Sequence, residues 1–236
     1  MTASENRIRF FVTDAHACSY LDGEKASTLF IDPEHPIDVA LYSQLSRNGF
    51  RRSGAHVYRP HCSDCDACIP IRTLAEEFKP NRRMRRIKKG NDDLEIMMSP
   101  SVDRDEHYLL YERYINLRHQ DGDMFPPSRE QFDSFLSSEW GVTHFIEYRL
   151  NGQLIAASVT DVMDDGLSAI YTYYDPVEAH RSLGVFAILT QLDMCIDRGL
   201  PYLYLGYWIK ACQKMSYKID YRPCQIRVKE RWVTLK

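Results

Sequence analysis

The sequence predicts an α+β protein in two unequal parts: a small cysteine-containing N-terminal domain over 1–92 and a larger domain over 93–236. Three observations predict it. Up to residue 78 the chain offers short extended pieces between turn residues, whereas beyond 94 the elements lengthen. Residues 144–150 and 154–162 flank Asn151-Gly152, a pair that favours a two-residue hairpin turn because both positions accept positive φ. Val185, Leu189, Leu192 and Ile196 recur along 183–198, and Gly199 follows. That spacing makes one apolar helical face with a glycine stop.

In the first part the strands fall at 8–13, 27–31, 55–58 and 69–73, with one helix over 38–47. So small a unit buries little apolar surface and leans on a metal or on its neighbour. A basic segment over 79–91 follows. In the second part 94–98 reads as a strand. Asp103 with Glu106, and Ser128 with Gln131, form capping boxes that open two helices. The hairpin, a strand over 167–174 and the 183–198 helix come next. A strand over 202–205, a short helix near 210–217 and two terminal strands around 225–229 and 232–234 close the chain. This β-α-α-β-β-β-α-β-α-β order resembles that of GNAT-type acyltransferases, so the second domain is expected to be GNAT-like.

Composition narrows the function. With 44% hydrophobic residues the chain can build a core. Lys plus Arg total 30 against 33 acids, a net charge of -3, so phosphate binding must come from a local patch rather than the whole surface. No apolar run approaches the ~18 residues of a membrane span, and residues 1–7 lead into no signal-like apolar stretch. A cytoplasmic protein without a membrane partner is expected. Seven cysteines, an odd count without a signal, should be reduced, buried or metal-bound.

Five segments can carry chemistry. His61 to Cys68 places Cys62, Cys65 and Cys68 at C-x2-C-x2-C spacing, which suits a zinc ion or an iron–sulfur cluster. The fourth ligand would be Cys18, with His16, His56 and His61 as rivals. Lys79, Arg82, Arg83, Arg85, Arg86, Lys88 and Lys89 put seven cations into eleven residues. Such a run repels itself until a polyanion neutralises it, pointing to salt-sensitive RNA phosphate binding. Arg51, Arg52, Arg59 and Arg72 stand among aromatic and small residues, where a guanidinium can grip a carboxylate bidentately. Asp175 ends a strand before Pro176, and Arg181 to Phe186 is similar to the Q/R-x-x-G-x-G/A turn that holds coenzyme A pyrophosphate. Phe186 stands where that turn needs a small residue, which speaks against coenzyme A. Finally, 205–218 sets aromatics beside Lys210 and Lys214, a pattern suited to a base or a ribose-phosphate end.

Together, 18–21, 49–54, 56–72, 173–176 and 205–218 resemble the aminoacyl-tRNA–protein transferases of the arginyltransferase type. The resemblance is greatest to their bacterial branch, the aspartate/glutamate leucyltransferases. It implies transfer of leucine from Leu-tRNA to the α-amine of proteins beginning with Asp or Glu, tagging them for degradation under the N-end rule, with no cofactor required. On that basis Asp175 is the expected proton acceptor, Tyr173 its neighbour in the site, and the N–H groups near Gly184 the oxyanion donors. Arg51, Arg52, Arg59 and Arg72 would hold the acceptor carboxylate, with the 79–89 cations, Lys210 and Lys214 on tRNA. Rival readings are arginine as the transferred residue, acetyl-coenzyme A as donor, and an RNA-binding module without catalysis.

Overall fold

The computed structural model describes residues 8–122, 124–136 and 140–236; the first seven residues, read above for a signal, lie outside this range. The N-terminal strands are β1 (Phe10–Val12), β2 (His16–Ala17), β3 (Lys25–Ala26), β4 (Thr28–Ile31), β5 (Arg51–Ser53) and β6 (His56–Pro60), with helix α1 (Val39–Arg47) before β5. They form an antiparallel sheet, β1-β4-β6-β5, and a separate β2-β3 hairpin. The chain continues through β7 (Ile69–Leu74), α2 (Arg82–Lys89), β8 (Glu95–Ser99), α3 (Arg104–Arg118) and α4 (Arg129–Leu136). Next come β9 (Thr143–Leu150), β10 (Gln153–Met163), β11 (Gly166–Tyr174), a 3-10 turn (Pro176–Arg181) and α5 (Leu183–Asp197). β12 (Tyr202–Trp208), α6 (Gln213–Ser216), a second 3-10 turn (Tyr217–Asp220), β13 (Cys224–Val228) and β14 (Arg231–Leu235) complete it.

The large sheet has the order β14-β13-β7-β12-β11-β10-β9-β8. β7 belongs to the N-terminal stretch, yet it pairs antiparallel with both β12 and β13. Its Ile71 is buried with Leu167, Leu189 and Leu203. The change of texture near residue 92 therefore marks no gap in the core. Side-chain alternation divides the two faces of the sheet. Phe145, Ala157 and Tyr173 pack under α3 and α4, and Ile146, Tyr148 and Ala156 pack under the start of α5. Phe186 belongs to this second cluster, its ring 5.7 Å from that of Tyr148. Its phenyl group faces the core and blocks nothing on the open side of the turn, so the sequence argument that it excludes coenzyme A loses its footing.

Local signals explain most element ends. Asp38 caps α1 by accepting from Leu41 N–H, Asn81 caps α2 through Met84 N–H, and Asp103 caps α3 through Asp105 and Glu106 N–H. Asn151 and Gly152 both take positive φ in the β9–β10 turn. Gly199 does so after α5.

One irregularity decides where a site can form. β11 and β12 run parallel, but pair only from Gly166↔Tyr202 to Ser168↔Tyr204. Immediately beyond, each strand carries an extra residue, Ile170 in β11 and Leu205 in β12. A bulge bends its strand and steepens the twist, and two bulges side by side drive the strands apart. β12 stays with β7, β11 stays with β10, and a V opens at their ends.

Candidate active site in the opening between β11 and β12

A cleft of about 1890 Å³ occupies this opening. Its floor is Arg51, reaching in from β5. One terminal nitrogen donates to Ala169 O at 2.8 Å, a carbonyl facing the widened gap. The guanidinium lies so tightly on Gly206 that any Cβ there would collide with it, and Gly206 also has φ +79°. The other terminal nitrogen is buried with no hydrogen-bond partner among the described residues. No carboxylate pairs with Arg51 in that set.

Beside it stands Lys218, 9% exposed, in the turn after α6. Its ammonium donates to Tyr207 O at 3.0 Å and to Met215 Sδ at 3.3 Å. Burial first, and then the like charge of Arg51, hold its pKa at about 7 instead of 10.5. This is an amine poised between its two forms. The sequence reading missed it, although Lys218 closes the 205–218 segment. Three lysines there look alike in one dimension, and only folding buries this one.

The α5 N-terminus forms another part of the wall. Ser182 takes φ 56° and provides no side-chain cap. Ser182, Gly184 and Val185 line the cleft. Val185 and Phe186 N–H bond back to Ser182 O, so the first-turn N–H groups of Leu183 and Gly184 are those available to an incoming oxygen.

The other predicted residues divide cleanly. Cys18, Cys62, Cys65, Cys68 and Gly184 line the cleft, as does Lys214, which is held to Asp121 at 2.7 Å. Burial first, then Cys18, Cys62 and Cys65, push the Cys68 thiol up to about 12. Cys212 adds to the same group from the C-terminal side. Among the described residues no three His, Cys, Asp or Glu side chains converge as ligands of one ion. The four thiols share one wall of the cleft.

Arg52 is locked elsewhere. Its side chain is fully buried against Asp161, with nitrogens at 2.6 and 2.7 Å from the two carboxylate oxygens. Arg72 donates to Gln225 and Tyr204 and lies 3.5 Å from the Tyr202 ring centroid, away from the cleft. Arg59 sits over Phe50 at 5.1 Å. Tyr173 is wholly buried, its hydroxyl bonded to His107 at 2.6 Å. Asp175 caps the 3-10 turn through Val177 N–H and pairs with Arg113 at 3.0 Å. Neither Tyr173 nor Asp175 lines the cleft.

The basic run forms helix α2, as its spacing predicts. Met84 is buried, and Arg82, Arg83, Arg85, Arg86 and Lys89 are exposed, as is Lys79 before them. The helix is pinned to α5 by Lys88–Asp193 at 2.6 Å, and Asn91 bridges Ile87 O and Arg181 O. Its C-terminal end thus meets the start of α5, the same turn that lines the cleft. Lys210 is exposed nearby in sequence but does not line it.

Comparison with known proteins now bears on this arrangement. The Arginine-tRNA-protein transferase family matches twice, its N terminus over residues 16–86 and its C terminus over 106–228. An aspartate/glutamate leucyltransferase of Teredinibacter turnerae is 53% identical over 97% of this chain and 95% of its own. One from Alcanivorax borkumensis is 55% identical over 95% of this chain and 93% of its own. The chain belongs to this transferase family. Among solved structures, L-PGS from Bacillus licheniformis is similar at TM-score 0.44 and 11% identity, over 60% of this chain and 47% of that one. Both family segments supply walls of the cleft: the first brings Arg51 and the thiols, the second Gly184 and Lys218.

No helix among the described residues is long and apolar enough to cross a membrane.

Proposed function

We propose that this aminoacyltransferase moves leucine from leucyl-tRNA to the α-amine of proteins whose first residue is Asp or Glu, with the reaction in the β11–β12 cleft. The observation that carries this reading is the pair Arg51 and Lys218: a half-buried guanidinium with one nitrogen fully buried and a buried amine, both without a carboxylate partner among the described residues, beside the open turn of α5. A desolvated cation with no counterion favours an acidic side chain over its amide, because an amide leaves the charge unpaired.

The donor is an activated ester, so positioning supplies much of the rate. Arg51 holds the acceptor carboxylate. The α-ammonium, with a pKa near 7.7–8.0, passes its proton to neutral Lys218, and its nitrogen attacks the leucyl carbonyl carbon. The tetrahedral oxyanion faces the Leu183 and Gly184 N–H groups. When the ester C–O bond breaks, the ribose oxygen leaves with a proton from the Lys218 ammonium, and the amine so regenerated takes the second proton from the new amide nitrogen and releases it to solvent, returning Lys218 to its starting form. In this reading Asp175 passes the proton-accepting role to Lys218 and instead fixes the 3-10 turn ahead of α5. Tyr173 supports β11 from beneath. Val185, Ile188 and Leu205 give the leucyl side chain an apolar wall.

The paired bulges and splayed parallel strands are the basis for a GNAT-like second domain. α2 tracks tRNA phosphates, with Lys214 nearer the cleft. The transfer needs no cofactor, and the reaction belongs with the tRNA pool of the cytoplasm, where a new N-terminal leucine tags the product for degradation. Charged Leu-tRNA or Arg-tRNA, offered to peptides beginning with Asp, Glu, Asn or Lys, tests this. Leucine should join the Asp and Glu peptides alone. Arginine incorporation, or equal use of the Asn peptide, would overturn it.

A further inference from the structure

Asn91 follows α2, is 1% exposed, and has no part in the steps above. Its side-chain amide spans two elements. Nδ2 donates to Ile87 O at 2.9 Å, in the last turn of α2, and to Arg181 O at 3.0 Å, on the peptide that leads into α5. These two acceptors fix the orientation of the amide, because a flipped group would set its oxygen against two carbonyls. Oδ1 is buried with no hydrogen-bond partner among the described residues. The amide thus gives up one buried acceptor, at a cost in stability, to hold two carbonyls together.

Arg181 makes the joint a double one. Its Nε donates to Glu178 at 2.8 Å within the 3-10 turn, and its two terminal nitrogens grip both oxygens of Asp93 at 2.8 and 2.9 Å. The same group reaches Gly90 O at 3.3 Å. The guanidinium that heads the pyrophosphate-like turn in the sequence therefore faces residues 90–93 and does not line the cleft. Both ties act one residue before Ser182, which holds φ 56° and caps nothing with its own side chain. A residue other than glycine keeps such a conformation only where its surroundings impose it. Here they are the two ties on Arg181 and the Ser182 N–H bond to Ala179 O at 3.2 Å. Directly after this step come the Leu183 and Gly184 N–H groups.

We infer that Asn91, together with Arg181, is a positioning residue for the transfer reaction: the clasp holds the Arg181–Ser182 peptide so that the Leu183 and Gly184 N–H groups stay aimed at the oxyanion. It also anchors that turn to the end of the basic helix, so the cleft and α2 share one joint. This rests on the transfer reaction proposed above, and one arm of the test is independent of it.

The variants are Asn91→Ala and Asn91→Asp in the full chain, the second keeping the shape and losing the donor. With leucyl-tRNA and a peptide beginning with Asp, both should lower kcat per folded molecule by about ten- to a hundredfold. KM for either substrate should hold, because the positioned groups act in the transition state. Arg181→Ala should act in the same direction, and Arg181→Lys, which keeps a charge for Asp93, should lose less. The salt dependence of KM for leucyl-tRNA should match the wild type, since the α2 cations are untouched. Apart from catalysis, hydrogen exchange at Val185 and Phe186, whose N–H groups bond back to Ser182 O, should quicken in Asn91→Ala while β9 and β10 keep their protection. If the wild type transfers no leucine, the proposed function fails, while quickened exchange still places the clasp on the turn. Exchange at the wild-type rate overturns the clasp itself. Quickened exchange with kcat unchanged makes it a structural tie alone and overturns its role in the reaction.

Discussion

Arg51 and Arg52 are adjacent on one short strand and have opposite fates. Alternation sends Arg52 inward, where Asp161 takes both its carboxylate bonds and Tyr42 and Thr143 bond to the same acid. It sends Arg51 to the cleft, where one nitrogen meets a carbonyl and no acid among the described residues answers the charge. Lys218 shares that second environment. The lesson is that a buried cation reads as structure when its counterion is folded in beside it, and as a binding group when the counterion is missing.

The largest effect that can break this comparison belongs to Lys218→Met. Removing a proton acceptor should lower kcat by about 10²- to 10⁴-fold, while the melting temperature holds or rises because a desolvated amine has gone. In the wild type kcat/KM should climb with pH through about 7, where Lys218 loses its proton, and the variant should lack that inflection. Stability follows the same group. Its folded pKa is depressed, so between about 7 and 10.5 the unfolded chain holds more protons and stability rises with pH. Lys218→Met should flatten that rise in denaturation experiments.

Next is Arg52→Ala, which strands Asp161 in the core and should cost ~3–5 kcal/mol of stability. Activity should fall only as far as the folded fraction does. Replacing both partners, Arg52→Met with Asp161→Leu, should recover much of the melting temperature; if it does not, the pair has a role beyond mutual neutralisation. Arg51→Ala sharpens the contrast from the other side. Its preference for peptides beginning with Asp over Asn should drop by about a hundredfold, with far less thermal destabilisation than Arg52→Ala. The smallest effect lies outside the cleft. Changing Arg82, Arg83 and Arg86 together to Gln should raise KM for leucyl-tRNA by about tenfold and make its salt dependence shallower by two to three released ions. Acceptor selectivity should stay as it was.

Tyr173 and Tyr174 repeat the lesson on β11. Sequence reasoning chose Asp175 for its place at a strand end and Tyr173 as its neighbour in the resemblance, yet the pleat turns Tyr173 into the core beside His107, and the 3-10 turn spends Asp175 on a backbone cap and on Arg113. The neighbour it passed over, Tyr174, is the one in the cleft. The elements themselves were far more legible. The capping residue of α3, the Asn151-Gly152 turn and the Gly199 stop all act where their spacing says. The second segment opening, Ser128, does bond to Gln131 N–H. Three short strands, β2, β3 and β5, carry too few residues to announce a period.

What the sequence by itself determined was local or compositional: helix ends, the hairpin, the exposed basic face of α2, the gathering of the Cys62–Cys68 thiols, and enough matching residues to assign the family. Those depend on neighbours a few positions apart. Only the tertiary structure decided which of two adjacent side chains meets a counterion. It also wove β7 into the larger sheet, and parted β11 from β12 through two bulges in strands some thirty residues apart. The reason is that charge pairing and desolvation are set by whatever lies across the fold, and the acid that neutralises Arg52 stands 109 positions away.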